Sequence, residues 1–245
     1  MAPTAPAVAH AVVGIIGGMG PEATVELMRR VIARTPATDD VDHVHMLVES
    51  NPKIPSRIAH LLEGSGVDPT PELVRIARNL EAGGASLLAM PCNTAHAYAP
   101  AIRAAISIPL LDMVELAAAR VLATSTGTGT RVGLLASTAV HRLRLYEDAF
   151  ARLCARDGGR PPDVVAPEDQ DAVMDLIRAV KRGDGGDAAQ ARFRALAAGL
   201  AAQSDLILVA CTELSVLASD RNRPAGIPVV DALDELCERI LAPSA

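Results

Sequence analysis

The segments LLAMPCNT, residues 87–94, and LILVACTE, residues 206–213, decide how this sequence is read. Each is an unbroken apolar run of strand length that ends on a cysteine, Cys92 or Cys211, and then turns polar. The two cysteines stand 119 residues apart (211 − 92). The same shift, with no gap, lays VVGIIGGM from Val12 on RVGLLAST from Arg131, matching Val13 with Val132 and Gly14 with Gly133. It also lays IPLLDMVEL from Ile108 on IPVVDALDE from Ile227, and so Asp112 on Asp231. Three matches at one offset, each in an apolar run bounded by turn residues, describe a duplicated unit.

Within each half, strands and helices alternate. The short apolar runs AVVGIIG, ASLLAM, RVGLLA and DLILVA suit strands buried on both faces of a parallel sheet. Between them lie amphipathic stretches. PEATVELMRRVIART starts on Pro21, and DPTPELVRIARNLEAGGA ends on Gly83 and Gly84. In the second half, AVHRLRLYEDAFARLCARDGG and PEDQDAVMDLIRAVKRGDGG each predict one helix closed by glycines, the acidic PEDQD suiting a helix N-terminus. The expected fold is α/β, with two similar Rossmann-like lobes whose parallel sheets are related by a pseudo-two-fold axis. The first lobe is expected over residues 10–116, joined by a C-terminal helix at 231–245, and the second over 117–230. ATSTGTGTR, 123–131, is the linker candidate. Ligands of open α/β sheets bind beyond the carboxyl ends of the strands, where both cysteines fall. The active site is therefore expected in the cleft between the lobes.

Composition narrows the function classes. Two Phe, two Tyr and no Trp leave little to stack on bases, and a net charge of −6 repels phosphates, which speaks against nucleic-acid binding. No apolar run approaches the roughly 20 residues that span a bilayer, and MAPTAPAVAH lacks the basic start of a signal peptide. The gaps separating Cys92, Cys154, Cys211 and Cys237 are too wide for metal knuckles, so reduced thiols and a cytoplasmic location are expected. Cys154 and Cys237, which the offset pairs with Thr35 and Ala118, read as helix-core residues.

Two thiols facing one another suit a particular task. One takes a proton from a carbon and the other returns a proton to the opposite face, inverting the centre. A thiolate is competent near neutral pH once its pKa is lowered, and a helix N-terminus can lower it. Asn93-Thr94 and Thr212-Glu213, which follow the cysteines, could hold a carboxylate with backbone N–H groups and side chains. For a single cysteine the competing reading is an inert, small core residue. The repeat is what separates Cys92 and Cys211 from that reading.

Taken together, GIIGGMGPEAT, MPCNTAHAY and ACTELS resemble the aspartate/glutamate racemase family, cofactor-independent enzymes of the aspartate racemase type. NPKIPSR at 51–57, VGLLAST at 132–138 and VMDLIRAVKRGD at 173–184 extend the resemblance from about residue 12 to about residue 240. It implies that Cys92 and Cys211 are the two catalytic bases, with Cys211 acting on the L-enantiomer. It implies contacts to the substrate α-carboxylate from Asn93, Thr94 and Thr212, and a pocket lined by Met19, Arg57, Ser137, Thr138 and Lys181. A homodimer, an acidic amino-acid substrate and the absence of any cofactor are further implications. Related superfamily activities, hydantoin racemisation and maleate isomerisation, stay open, as does a non-catalytic protein that binds acidic ligands.

The residues alone ask for cations near a dicarboxylate. Arg57 follows a proline-rich loop and could clamp a carboxylate, or be a solvated surface arginine. Lys181 ends a helical stretch, where the helix dipole alone would favour it. Lys53 reads as solvent-facing. Glu213 could hydrogen-bond within the site, as a substrate-binding residue, or near Cys211, or merely cap its helix. GIIGGMG contains no GxGxxG from any starting glycine and reads as a tight strand-to-helix turn rather than a nucleotide site. His96 reads as a packed helix residue. His43 and His45 would share a strand face with Glu49 nearby, but no third ligand is close and no metal is expected.

Overall fold

The computed structural model of the chain describes residues 11–125 and 129–242. Two parallel sheets carry it. In the first, β1 (Val13–Gly17) lies between β2 (Met46–Ser50) and β3 (Leu87–Ala89), and a parallel bridge from Leu88 to Leu110 extends it by one more position. In the second, β4 (Arg131–Ala136) and β6 (Leu206–Ala210) are central, flanked by β5 (Asp163–Val165) and β7 (Val229–Asp231). The register repeats as the sequence does. Gly14 pairs with Leu88 in one sheet, and Gly133 with Ile207 in the other. Neither glycine has room for a Cβ, which would lie 2.5 Å from Leu88 Cδ2 at Gly14 and 2.6 Å from Leu200 Cγ at Gly133.

The helices follow from local chemistry. α1 (Pro21–Arg34) begins on a proline whose missing N–H costs nothing in a first turn. It buries Ala23, Thr24, Leu27, Arg30 and Val31, one face at helical spacing. It stops at Thr35 because Pro36 forces the preceding residue into extended backbone. α2 (Thr70–Ala82) gives way to Gly83 and then to Gly84 at φ 98, and the short α3 (Ala99–Arg103) follows β3. Asp112 and Asp231 do the same work in the two halves. Each caps a helix, α4 (Met113–Thr124) or α10 (Ala232–Leu241), by accepting the backbone N–H two residues on.

One expectation fails in the second half. The helix predicted across 139–159 is two helices, α5 (Thr138–Arg142) and α6 (Leu145–Asp157), broken at Arg144 with φ 52. Left-handed backbone at a non-glycine residue costs about 1–2 kcal/mol. The break lets α5 start at the strand end, capped by Ser137, while α6 turns Tyr146, Phe150 and Leu153 into the core. α7 (Gln170–Lys181) is capped by Asp169 of the acidic cluster, and α8 (Asp187–Ala201) and α9 (Thr212–Ser215) complete the set.

Alternate residues of the inner strands face two cores. Val132, Leu134 and Ala136 join Leu206, Leu208 and Ala210 in a layer shared with Val13, Ile15 and Ala89 of the first sheet. Helices α1, α4, α6 and α10 fill that layer, α10 packing on both α4 and α1. Ile16 and Leu88 face a second core under α2 and α3, and Leu135, Ile207 and Val209 a third under α7 and α8. The boundary expected between residues 116 and 117 falls inside α4, which is continuous there, and part of the expected linker lies outside the described residues. Cys154 and Cys237 are buried on α6 and α10.

A charged cluster pins the shared layer. Arg30 of α1, 7% exposed, donates to Asp231 at 2.7 Å, to Asp234 at 2.8 Å and to Glu26 at 2.7 Å. It also donates to the carbonyl of Ser215 in α9. Arg34 and Arg223 close on Asp234 from outside. No helix among the described residues is long and apolar enough to cross a membrane.

Candidate active site

Cys92 and Cys211 line one cleft, each just beyond the carboxyl end of an inner strand, β3 or β6. Both are 7% exposed. Cys211 caps α9, while Cys92 precedes a 3₁₀ turn at Thr94–Tyr98. The fourth residue after each cysteine anchors it. His96 Nδ1 donates to the Cys92 carbonyl at 2.9 Å, and its Nε2 accepts the Met113 N–H at 3.1 Å, so the ring is neutral with its proton on Nδ1. Ser215 donates its backbone N–H to the Cys211 carbonyl at 3.0 Å and its hydroxyl proton to Asp231 Oδ1 at 2.6 Å. In each half, then, the cysteine is tied to the start of the last helix of its repeat, α4 or α10.

Cys211 Sγ donates to Glu213 Oε2 at 3.1 Å, and Lys181 Nζ lies 3.4 Å from Glu213 Oε1. Burial pushes the Cys211 thiol well above its ordinary range, and the Glu213 carboxylate adds to this against the opposing pull of Lys181. The expectation that a helix N-terminus lowers this pKa is overturned at Cys211. A four-residue helix supplies too little dipole to offset a dry site and a carboxylate in contact. Burial works against the Lys181 ammonium, but Glu213, Cys211 and Cys92 outweigh it and raise the lysine pKa. Glu213 therefore does not cap α9 but links a thiol to a cation.

The remaining residues singled out from sequence are distributed as follows. Met19, Arg57, Asn93, Thr94, Ser137 and Thr212 all line the cleft. Arg57 Nη1 is held by the carbonyls of Ile54 at 3.2 Å and Pro55 at 2.8 Å. Thr94 Oγ1 and Ser137 Oγ meet across the lobes at 3.3 Å, and Thr212 Oγ1 donates to the Pro91 carbonyl at 3.1 Å. Thr138 is not in the lining, since its N–H meets Met174 Sδ and its hydroxyl accepts from Gln170 at 3.4 Å. Lys53 is exposed. His43 and His45 precede β2 rather than lie on it, and no group of three potential metal ligands occurs among the described residues. Gly18 turns the chain after β1 at φ 92, where a Cβ would strike the Asn51 backbone at 2.4 Å. That turn delivers Met19 to the cleft.

Sequence reasoning missed Ser56, Ile58, Ile177 and Tyr146. Ser56 and Ile58 flank Arg57 where the chain enters a helical turn that continues through Ala59–Glu63, with Ile58 packing against the core of the second lobe. Ile177 sits one helical turn before Lys181, a spacing that could have revealed it. Tyr146, whose hydroxyl reaches Asn93 from α6, carries no sequence signal.

The sequence model of the Asp/Glu/Hydantoin racemase family matches residues 16–240, and the chain belongs to that family. It is similar to the broad specificity amino-acid racemase RacX of Bacillus subtilis (strain 168), with 26% identity over 225 residues covering 90% of this chain and 92% of RacX. Among solved structures, Picrophilus torridus aspartate racemase matches at TM-score 0.81 and 30% identity, covering 94% of this chain and 93% of that one. Glutamate racemase isoform RacE1 from Bacillus anthracis, 16% identical, shares the fold at TM-score 0.63, with 94% and 80% of the two chains covered.

Proposed function

We propose that this protein interconverts the enantiomers of an acidic amino acid, aspartate foremost, by proton transfer at Cα between two thiols and without a cofactor. One observation carries the reading. Two cysteines from the two halves of a duplicated chain line one cleft together with Arg57 and Lys181. In a chain of net charge −6, that pair of cations is what a dicarboxylate needs locally.

The chemistry calls for one thiol on each face of Cα. In one direction Cys92, as thiolate, takes the Cα proton while the Cys211 thiol gives its proton to the opposite face. The products are the inverted amino acid, a Cys92 thiol and a Cys211 thiolate. In the other direction Cys211 takes the proton, from the L-enantiomer, and Cys92 donates. Glu213 Oε2, 3.1 Å from Sγ, is the group that can take the proton from Cys211 beforehand. A carboxylate held against Asn93, Thr94 and the cations offsets the charge that develops at Cα.

Incubation in D₂O tests this. Wild type should exchange and interconvert L- and D-aspartate, and glutamate less readily. Cys92→Ser and Cys211→Ser should each abolish interconversion. No turnover of any acidic amino acid would discard the reading. Ile58 and Ile177 in the lining favour a second reading, a wider amino-acid range, which the same assay with alanine and leucine decides.

A further inference from the structure

Asn93 lines the cleft beside Cys92, is 3% exposed, and leaves its amide nitrogen Nδ2 without a hydrogen-bond partner. Its oxygen is engaged, because the Tyr146 hydroxyl donates to Asn93 Oδ1 from the first turn of α6. Tyr146 is fully buried in the core shared by the lobes. Burial, with Asp112, Asp231 and Cys211 nearby, pushes its phenol well above the ordinary range and keeps the proton in place. A buried phenol proton needs an acceptor, and a carboxamide accepts only through its oxygen. Turned by half a revolution, the amide would strand that proton and point Oδ1 at the site of an incoming carboxylate.

The duplication sharpens the point. The 119-residue shift (212 − 93, 146 − 27) lays Thr212 on Asn93 and Leu27 on Tyr146. Thr212 already donates its hydroxyl to Pro91, and Leu27 has no polar atom to offer. The donor that Tyr146 holds ready at Asn93 therefore has no twin in the other half. Two matching grips would let a substrate bind in either of two orientations, whereas one grip selects a single orientation.

We propose that Tyr146 is a positioning residue that fixes the Asn93 amide so that Nδ2 holds a substrate carboxylate, and thereby sets which face of Cα meets which thiol. This deepens the racemase reading and rests on it. The experiment is calorimetric titration of DL-aspartate into wild type, Tyr146→Phe, Asn93→Ala and the double variant, alongside racemisation rates. Tyr146→Phe and Asn93→Ala should each weaken binding about tenfold, equal to about 1.4 kcal/mol, and the double variant should be no weaker than Asn93→Ala. Wild-type affinity in Tyr146→Phe overturns the inference, as does an equal further loss in the Asn93→Ala background. Binding without turnover by wild type sinks the racemase reading alone, and no binding sinks both. If Tyr146→Phe does not fold, the Asn93 side-chain amide signals of ¹⁵N-labelled wild type, assigned by their loss in Asn93→Ala, decide the matter. They should shift on adding DL-aspartate, and unmoved signals overturn the inference.

Discussion

The Cys211 thiol donates to Glu213 Oε2 at 3.1 Å, inside a site where Lys181 faces the other oxygen of the same carboxylate at 3.4 Å. The thiol is thus held in its protonated form by burial and by a negative neighbour, while a cation limits how far that neighbour can act. Opposite substitutions on this chain of three groups should move the thiol in opposite directions.

Glu213→Gln keeps the shape and removes the charge. The pH midpoint for iodoacetamide labelling of Cys211, followed by mass spectrometry in a Cys92→Ser background, should move down. In the otherwise wild-type protein kcat should fall about 100-fold or more, the range of a lost acid–base partner. An unmoved midpoint would show that the carboxylate does not govern the thiol.

Lys181→Met should do the reverse. Without the ammonium, the Glu213 charge acts on Cys211 unopposed and the labelling midpoint should rise. With one of two cations gone from the cleft, KM for aspartate should rise about tenfold, the loss of one charge-assisted contact of about 1.4 kcal/mol.

His96 makes stability sensitive to acid. Burial lowers its pKa, and the neutral ring is needed because Nε2 accepts the Met113 N–H. The unfolded chain takes up a proton near pH 6.5, whereas the folded chain resists it. The contribution is therefore complete above pH 6.5 and is lost as pH falls below it, at up to about 1.4 kcal/mol per unit until the folded value is reached. Urea denaturation of His96→Gln should show lower stability at pH 7.5 but a flatter decline between pH 6.5 and 4.5 than wild type.

Arg30→Met should be severe. It leaves Asp231, 1% exposed, and Asp234 without their buried cation, a loss of about 3–5 kcal/mol in denaturant midpoints. Adding Asp231→Asn should recover part of it. Ser215 loses its anchor to Arg30, so kcat should drop even for the folded fraction.

Gly133→Ala tests the packing of the duplicated strands. The new methyl would sit 2.6 Å from Leu200 Cγ and 2.7 Å from Ser204 Oγ, and overpacking of this kind costs about 1–3 kcal/mol. The thermal midpoint should fall while the activity of the folded protein stays near wild type.

The doubled architecture was legible because it rests on local patterns. Apolar runs of strand length, Asp112 and Asp231 at matching helix starts, and cysteines at matching strand ends all recur at one shift. The Arg144 break was not legible, since arginine is a good helix former and nothing nearby signals a left-handed residue. The same holds for His43 and His45, whose spacing suits a strand although β2 begins only at Met46.

Within the site, the residue types came from the sequence and the pairings did not. Periodicity and repetition placed Cys92 and Cys211 at the ends of inner strands, because a strand end is a property of its own few residues. Which group touches Cys211 depends on two segments, α7 and α9, packing to bring Lys181 and Glu213 together. The reach of Tyr146 to Asn93 spans 53 residues of chain. Burial then set the sign of the Cys211 shift, since the cost of a charge depends on the surrounding dielectric and not on neighbours in sequence. Sequence alone determined two lobes and two thiols, while the folded packing decided what holds the Cys211 proton and which side chains face the cleft.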